Sequence, residues 1–183
     1  VKKSNFKFTH SKENIGLCSS MNNAYKLSTS DFLLYAHDDM YFCKNWDKYL
    51  IDEINKQKNN FYYLSGTNVS TRFGLINYNC GDTLENFDEN KFLKFCIDDN
   101  TPDLQSAHWA PHLIHRELWD KIGGFSEEFN PGDGSDPDFC MKLWLENVRI
   151  FKGISKFKVY HFNSLTTRNN KVTLNNGTKI FLL

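Results

Sequence analysis

The strongest constraint in the chain is the run Phe32-Leu33-Leu34-Tyr35-Ala36, followed at once by His37-Asp38-Asp39. Five consecutive apolar or aromatic residues predict a strand buried on both faces, the kind found in a sheet covered by helices. In open α/β sheets ligands gather just beyond the carboxyl ends of the strands. Asp38 and Asp39 therefore stand where a substrate or metal is expected. Two adjacent carboxylates repel unless a cation or solvent screens them. Hard divalent cations such as Mg2+ and Mn2+ take oxygen ligands and often bridge a carboxylate to a substrate phosphate. A polar turn ahead of a helix starting near Asn45 explains the same residues without any ligand, because Asp pairs are common in turns. On these residues alone the two readings stand level.

The rest of the chain alternates helical and strand patterns. Phe6-Lys7-Phe8 reads as a short strand, and Asn14-Ile15-Gly16 as a turn. Leu17, Met21, Ala24 and Tyr25 recur at helical spacing, as do Trp46, Tyr49, Leu50 and Ile54. Strands are predicted at 61–64 and 72–78, and 80–111 reads as a long irregular segment, a length that usually marks a binding element or lid. A short helix over 117–122 stops at Gly123-Gly124, and 130–134 is a turn cluster. Asp136 ahead of Pro137 suits the cap of a helix carrying Phe139, Leu143 and Trp144. Strands follow at 149–151 and 156–160, the second ending at His161. Helices alternating with strands indicate an α/β domain with a mixed, mostly parallel sheet.

A length of 183 residues suits one domain with a sizeable core. The 22 basic and 22 acidic residues cancel, which gives no support for nucleic-acid binding. Five scattered cysteines without a C-x-x-C pair argue against a disulfide framework or structural zinc site, and for a cytoplasmic location with reduced thiols. The apolar runs are too short to cross a bilayer. Asn68-Val69-Ser70 and Asn176-Gly177-Thr178 fit the glycosylation sequon, a tripeptide common by chance. The chain begins at Val1, without Met, directly in strand-like sequence, as a fragment of a longer product would.

Three polar groups follow strands or flank helices: Asp38-Asp39, Asp136 with Asp138, and His161. In their order along the chain they resemble a known family. Glu13-Asn14-Ile15-Gly16, then Asn22-Asn23-Ala24, then 32–40 is similar to the nucleotide-sugar-binding half of family 2 glycosyltransferases of the GT-A fold. Ile114 to Phe129, with its Gly-Gly-Phe-Ser-Glu stretch, resembles that family's acceptor-side segment, and Ser135-Asp136-Pro137-Asp138-Phe139 follows as expected. The resemblance spans roughly residues 13–165. It implies one GT-A, Rossmann-like domain over 1–183: the remainder of the nucleotide-sugar-binding half over 1–79, an acceptor-side half over 80–165 and a tail over 166–183. Little sequence precedes Asn14, so the domain is expected to be N-terminally incomplete, without the base-binding strand.

The resemblance also implies site roles. The family's D-x-D motif falls on His37-Asp38-Asp39, with His37 replacing the first Asp. Asp39 becomes the expected ligand of Mn2+ or Mg2+, and Asp38 a contact to the ribose or the metal's water shell. A carboxylate-held divalent ion stabilises a departing diphosphate as a Lewis acid. Asp136 aligns with the base that takes the acceptor hydroxyl's proton in an inverting transfer, with Ser135 standing where the family has Glu. His161 matches a late His that completes the metal site in many relatives, and Arg168, after Ser164, could meet the diphosphate. Asn14 and Gly16 are expected beside the nucleotide; Trp109, His112 and Asp138 on the acceptor side. Plain turn chemistry or core packing explains Asn14, Gly16, Trp109 and His112 equally well.

The implied activity is transfer from a nucleoside diphosphate sugar, such as a UDP-sugar, to a glycan, lipid-linked or protein hydroxyl, in the cytoplasm or at the inner face of a membrane with peripheral association. A catalytically silent carbohydrate-binding or scaffold module of the same fold is the alternative. A nucleotidyltransferase is disfavoured by the lack of a Gly-rich phosphate loop near the start.

Overall fold

The computed structural model describes residues 6–163 and 175–182. Helix α1 (Leu17–Leu27) leads into β1 (Phe32–Tyr35), β2 (Met40–Phe42) and α2 (Trp46–Ile54). After β3 (Tyr62–Ser70) and β4 (Ile76–Asn77) come α3 (Glu89–Asp98), β5 (Leu104–Gln105), β6 (His112–His115) and α4 (Arg116–Ile122). A 3-10 turn (Glu127–Phe129), α5 (Ser135–Leu145), β7 (Ile150–His161) and α6 (Gly177–Phe181) complete it.

The strands form one mixed sheet in the order β1-β6-β3-β7-β2, with β4 on β3 and β5 on β7. It is mixed, as expected, but the parallel majority is not there. Only β3–β7 and β3–β4 run parallel, while β1–β6, β3–β6, β2–β7 and β5–β7 are antiparallel. The strand expected to be buried on both faces, β1, has β6 as its one neighbour among the described residues, and its burial rises from exposed Phe32 to buried Tyr35. The doubly buried strand is β3, enclosed along its whole length. Its side chains alternate between faces. Tyr63 joins Cys18, Leu118, Phe125 and Phe139 under α1, α4 and α5, whereas Tyr62 and Leu64 join Leu50 and Phe157 under α2. A third cluster, Val69, Phe92, Tyr160 and Phe162, packs α3 onto the sheet.

Other expectations shift with this topology. Residues 6–8 are not a strand, and Phe6 and Phe8 stand exposed. The two strands expected near 149–160 are one, β7, because a register shift opposite Gly66/Thr67 absorbs the intervening residues. The segment 80–111 is less irregular than its composition suggests. Asp88 caps α3 by accepting from the Lys91 N–H (2.9 Å), and beyond α3 the chain is pinned by Asp99 on Lys158 (3.0 Å) and Asp103 on Lys152 (3.0 Å). α4 ends as expected at Gly123, φ 72°, whose N–H returns to the Trp119 carbonyl (2.9 Å).

α1 starts at Gly16, φ 84°, where a Cβ would stand 2.2 Å from Asn130 Oδ1. That oxygen accepts from the Cys18 N–H (3.1 Å), and the Pro131 carbonyl from the Leu17 N–H (2.9 Å). The first donors of the helix, which have no partner within it, are thus satisfied by the turn cluster at 130–134. All five cysteines are free. Among the described residues no helix is long and apolar enough to cross a membrane.

Candidate active site

The turn between β1 and β2 carries His37, Asp38 and Asp39. Met40 pairs with His161 across β2–β7, and the Phe162 N–H donates to the Asp39 carbonyl (3.0 Å). The sheet ladder thereby carries His161, remote in sequence, to the acidic turn. His161 Nε2 lies 3.1 Å from Asp39 Oδ1. His37, Asp39 and His161 each offer one ligand atom, all within 4.8 Å of one another. A carboxylate oxygen with two imidazole nitrogens is a mixed donor set of the kind first-row transition dications take, so the residues fit a divalent ion. Burial, with His161 beside it, pushes the His37 ring below its ordinary pKa. That keeps it neutral, the form that ligates metals. Its Nε2 meets the Tyr35 hydroxyl at 2.6 Å. Asp38, two-fold expected at the ribose or water shell, is exposed on the same turn.

Asp136 stands outside this cluster, on the first turn of α5. It does not cap the helix: the N-cap position is Gly134, and Asp136 Oδ1 is buried without a hydrogen-bond partner. Burial raises its pKa to about 7. The helix N-terminus favours the anion, by ~0.3–1 kcal/mol, and desolvation outweighs it. Tyr35 links the two places. Its hydroxyl bonds His37, and its own pKa is raised by burial first and then by the carboxylates of Asp136 and Asp39. A groove of about 420 Å3 runs between the 105–108 segment and α5, lined by His108, Pro137, Cys140, Met141 and Trp144; it reaches the residue after Asp136 but not Asp136 itself.

The remaining expected residues lie elsewhere or face inward. Asn14 Oδ1 accepts from the Gly16 N–H (2.9 Å), and both residues shape the turn that packs on Asn130-Pro131. His112, in β6, is 1% exposed, enclosed by Tyr35, Tyr63 and Phe139, with neither ring nitrogen hydrogen-bonded. Burial lowers its pKa to about 3, so it is a neutral ring in the core with no face open to a sugar. Trp109 is half-buried, edge-on to His108, with its Nε1 sealed and unpartnered. Asp138 accepts from Ser126 Oγ (2.7 Å) and lies 4.0 Å from Lys142 Nζ, which itself donates to the Gly124 carbonyl. It ties the Gly-Gly-Phe-Ser stretch to α5. Ser164 and Arg168 lie outside the described residues.

Two members of the site were missed as such. His37 entered the sequence reading only as a departure from D-x-D, yet its spacing of two from Asp39 was the signal that both could reach one ligand. Tyr35 was counted as a core aromatic, and nothing in a single sequence marks its hydroxyl.

A model of the family described as "Glycosyl transferase family 2" matches residues 2–123. The chain belongs to glycosyl transferase family 2. Among solved structures, a glycosyltransferase, described as "Crystal structure of GalNAc-T7 with UDP, GalNAc and Mn2+", resembles it with a TM-score of 0.58 at 14% identity. The alignment covers 91% of this chain and 32% of that one, so the family 2 domain here spans about a third of that relative's length. The likeness establishes a common GT-A fold. A comparison with curated protein sequences gave no match.

Proposed function

We propose that the chain is a metal-dependent, inverting glycosyltransferase domain that moves a sugar from a nucleoside diphosphate donor to a hydroxyl of a glycan, lipid-linked or protein acceptor. The observation that carries the reading is the presence of two unlike sites whose charges both act on the buried Tyr35 hydroxyl: a neutral-imidazole and carboxylate cluster, and a separate carboxyl poised near neutrality. Asp39, His161 and His37 would hold Mn2+ or Mg2+, and the two imidazoles favour Mn2+. When bound, the ion offsets the charge that develops on the departing diphosphate. The family membership and the UDP and Mn2+ of the GalNAc-T7 structure support a nucleotide-sugar donor.

Asp136 acts as the general base. A base works best with a pKa near the operating pH, and the apolar surroundings of Asp136 supply that without a partner to neutralise it. The acceptor is assigned to the groove beside α5, whose wall at Pro137 adjoins Asp136 in the chain, and an inverting transfer requires its hydroxyl to attack from the face opposite the leaving diphosphate. Asp38, on the exposed turn, is left to contact the donor's ribose.

Calorimetry with UDP, with and without Mn2+, tests the reading, followed by a screen of nucleotide-sugar hydrolysis. Nucleotide binding should require the metal, and Asp39→Asn should weaken Mn2+ by more than the ~10–100-fold typical of losing an outer partner. Metal-independent or absent UDP binding by the complete gene product sinks the proposal and leaves the silent carbohydrate-binding module.

A further inference from the structure

We infer that Asn68 is the positioning residue of the candidate metal centre, the side chain that sets which nitrogen of His161 carries the ring proton and so whether Nε2, which faces Asp39, is free to ligate. The inference rests on the metal reading above. Asn68 sits on β3 beside β7 and is 2% exposed. Its Nδ2 lies 3.4 Å from His161 Nδ1 and 3.4 Å from the Ala110 carbonyl, while its Oδ1 is sealed from solvent with no partner. In the sequence this residue had shown only as the start of a sequon, a role its burial denies it in the folded protein.

The geometry defines a tautomer. An amide N–H aimed at His161 Nδ1 needs a lone pair there, which leaves the ring proton on Nε2, 3.1 Å from Asp39 Oδ1. That arrangement holds the ring in place without a metal. Ligation through Nε2 needs the opposite: a bare Nε2 and a proton on Nδ1, which then seeks a carbonyl or carboxylate oxygen. Asn68 carries that oxygen on the same planar group. Its terminal torsion is broad and two-fold, so a half-turn exchanges Nδ2 for the orphaned Oδ1 at the ring. A carboxamide offers both a donor and an acceptor, so this residue type serves His161 in either tautomer. Asp serves the ligating one alone, and an aliphatic residue neither.

Two readouts test this, neither needing turnover. Ring 15N shifts of His161 in the metal-free protein report the tautomer, and Mn2+ titration followed by the spectrum of the free ion reports affinity. The wild type should hold the Nε2–H form. Asn68→Ala should mix the tautomers and weaken Mn2+ by ~10–100-fold, whereas Asn68→Asp, which keeps an acceptor for Nδ1–H, should bind Mn2+ at least as tightly as the wild type. If Asn68→Ala unfolds, Asn68→Leu, close in volume and without a donor or acceptor, carries the same comparison. Unchanged ring shifts and affinity in the Ala or Leu variant overturn the role of Asn68, as does an Asp variant as weak as Ala. A wild type that binds no Mn2+ overturns the metal reading instead, and shows before any variant is made.

Discussion

Lys158 and Asp136 are both buried ionisable side chains, and the fold treats them in opposite ways. Lys158, on β7 and 1% exposed, donates to the Ser155 carbonyl (2.7 Å) and pairs with Asp99 (3.0 Å). Burial pushes Asp99 upward, and Lys158 with Thr101 more than reverses it, so the carboxyl ends below its ordinary pKa. Asp136 has no such company: its Oδ1 is orphaned and its pKa stands near 7. Where this chain needs a buried charge to hold a loop to the sheet, it satisfies it. Buried polar groups are almost always satisfied, so a carboxyl left otherwise in a family 2 domain supports the role proposed for Asp136, since strongly perturbed groups gather at functional sites.

The sharpest way to break this contrast is Asp136→Asn. Removing a positioned base typically costs 10²–10⁴-fold, so kcat should fall by about that much while donor binding stays within about twofold, measured by UDP calorimetry beside turnover. The wild-type rate should rise with pH through about 7 as Asp136 gives up its proton. A variant with undiminished turnover removes Asp136 from the mechanism.

Lys158→Met tests the other half. Breaking a buried pair by removing one partner costs ~3–5 kcal/mol, read as a fall in urea midpoint. Mn2+ and UDP affinity measured well below that midpoint should not change, since Lys158 serves the 99–103 segment and not the site. A stable Met variant with lost metal binding would reverse the two assignments.

How much of this was readable beforehand follows the range of the forces involved. α1, α2, α4 and α5 announce themselves by local periodicity and by stop signals such as Gly123, and all four are present. Sheet partners do not: β1 reads as interior because its apolar run is continuous, but pairing decides exposure, and its one described neighbour is β6. α3 was hidden because Asp and Asn around it suggest loop, although Asp88 is its cap. At the site, Asp39 and His161 were legible through the order of motifs along the chain. The burial that sets Asp136 near 7 and the amide of Asn68 on His161 depend on contacts between segments far apart in the chain, and the Tyr35 hydroxyl meets His37 only through the path the turn takes after β1. A spacing pattern carries no trace of those.

His112 supplies a third buried ionisable group and the finest test of the contrast. Like Asp136 it has no partner, but its buried form is the neutral ring, its pKa lowered to about 3. Between pH 3 and 6.5 the unfolded chain takes up a proton that the folded protein refuses, so this group makes stability rise with pH. Asp136 does the reverse: between pH 3.8 and about 7 the folded protein keeps a proton that the unfolded chain has lost, so stability falls with rising pH. Each slope approaches ~1.4 kcal/mol per pH unit, and across their shared window the two oppose each other. These two contributions should therefore nearly cancel between pH 4.5 and 6, leaving in the wild-type urea midpoints the residual rise that the lowered His37 and His108 add. His112→Phe, whose ring suits the Tyr35, Tyr63 and Phe139 surround, should shift the slope downward, and Asp136→Asn upward, with the double variant back near the wild-type slope. A single variant with the wild-type slope would mean that its carboxyl or imidazole has a partner after all, and for Asp136 that would end the contrast with Lys158.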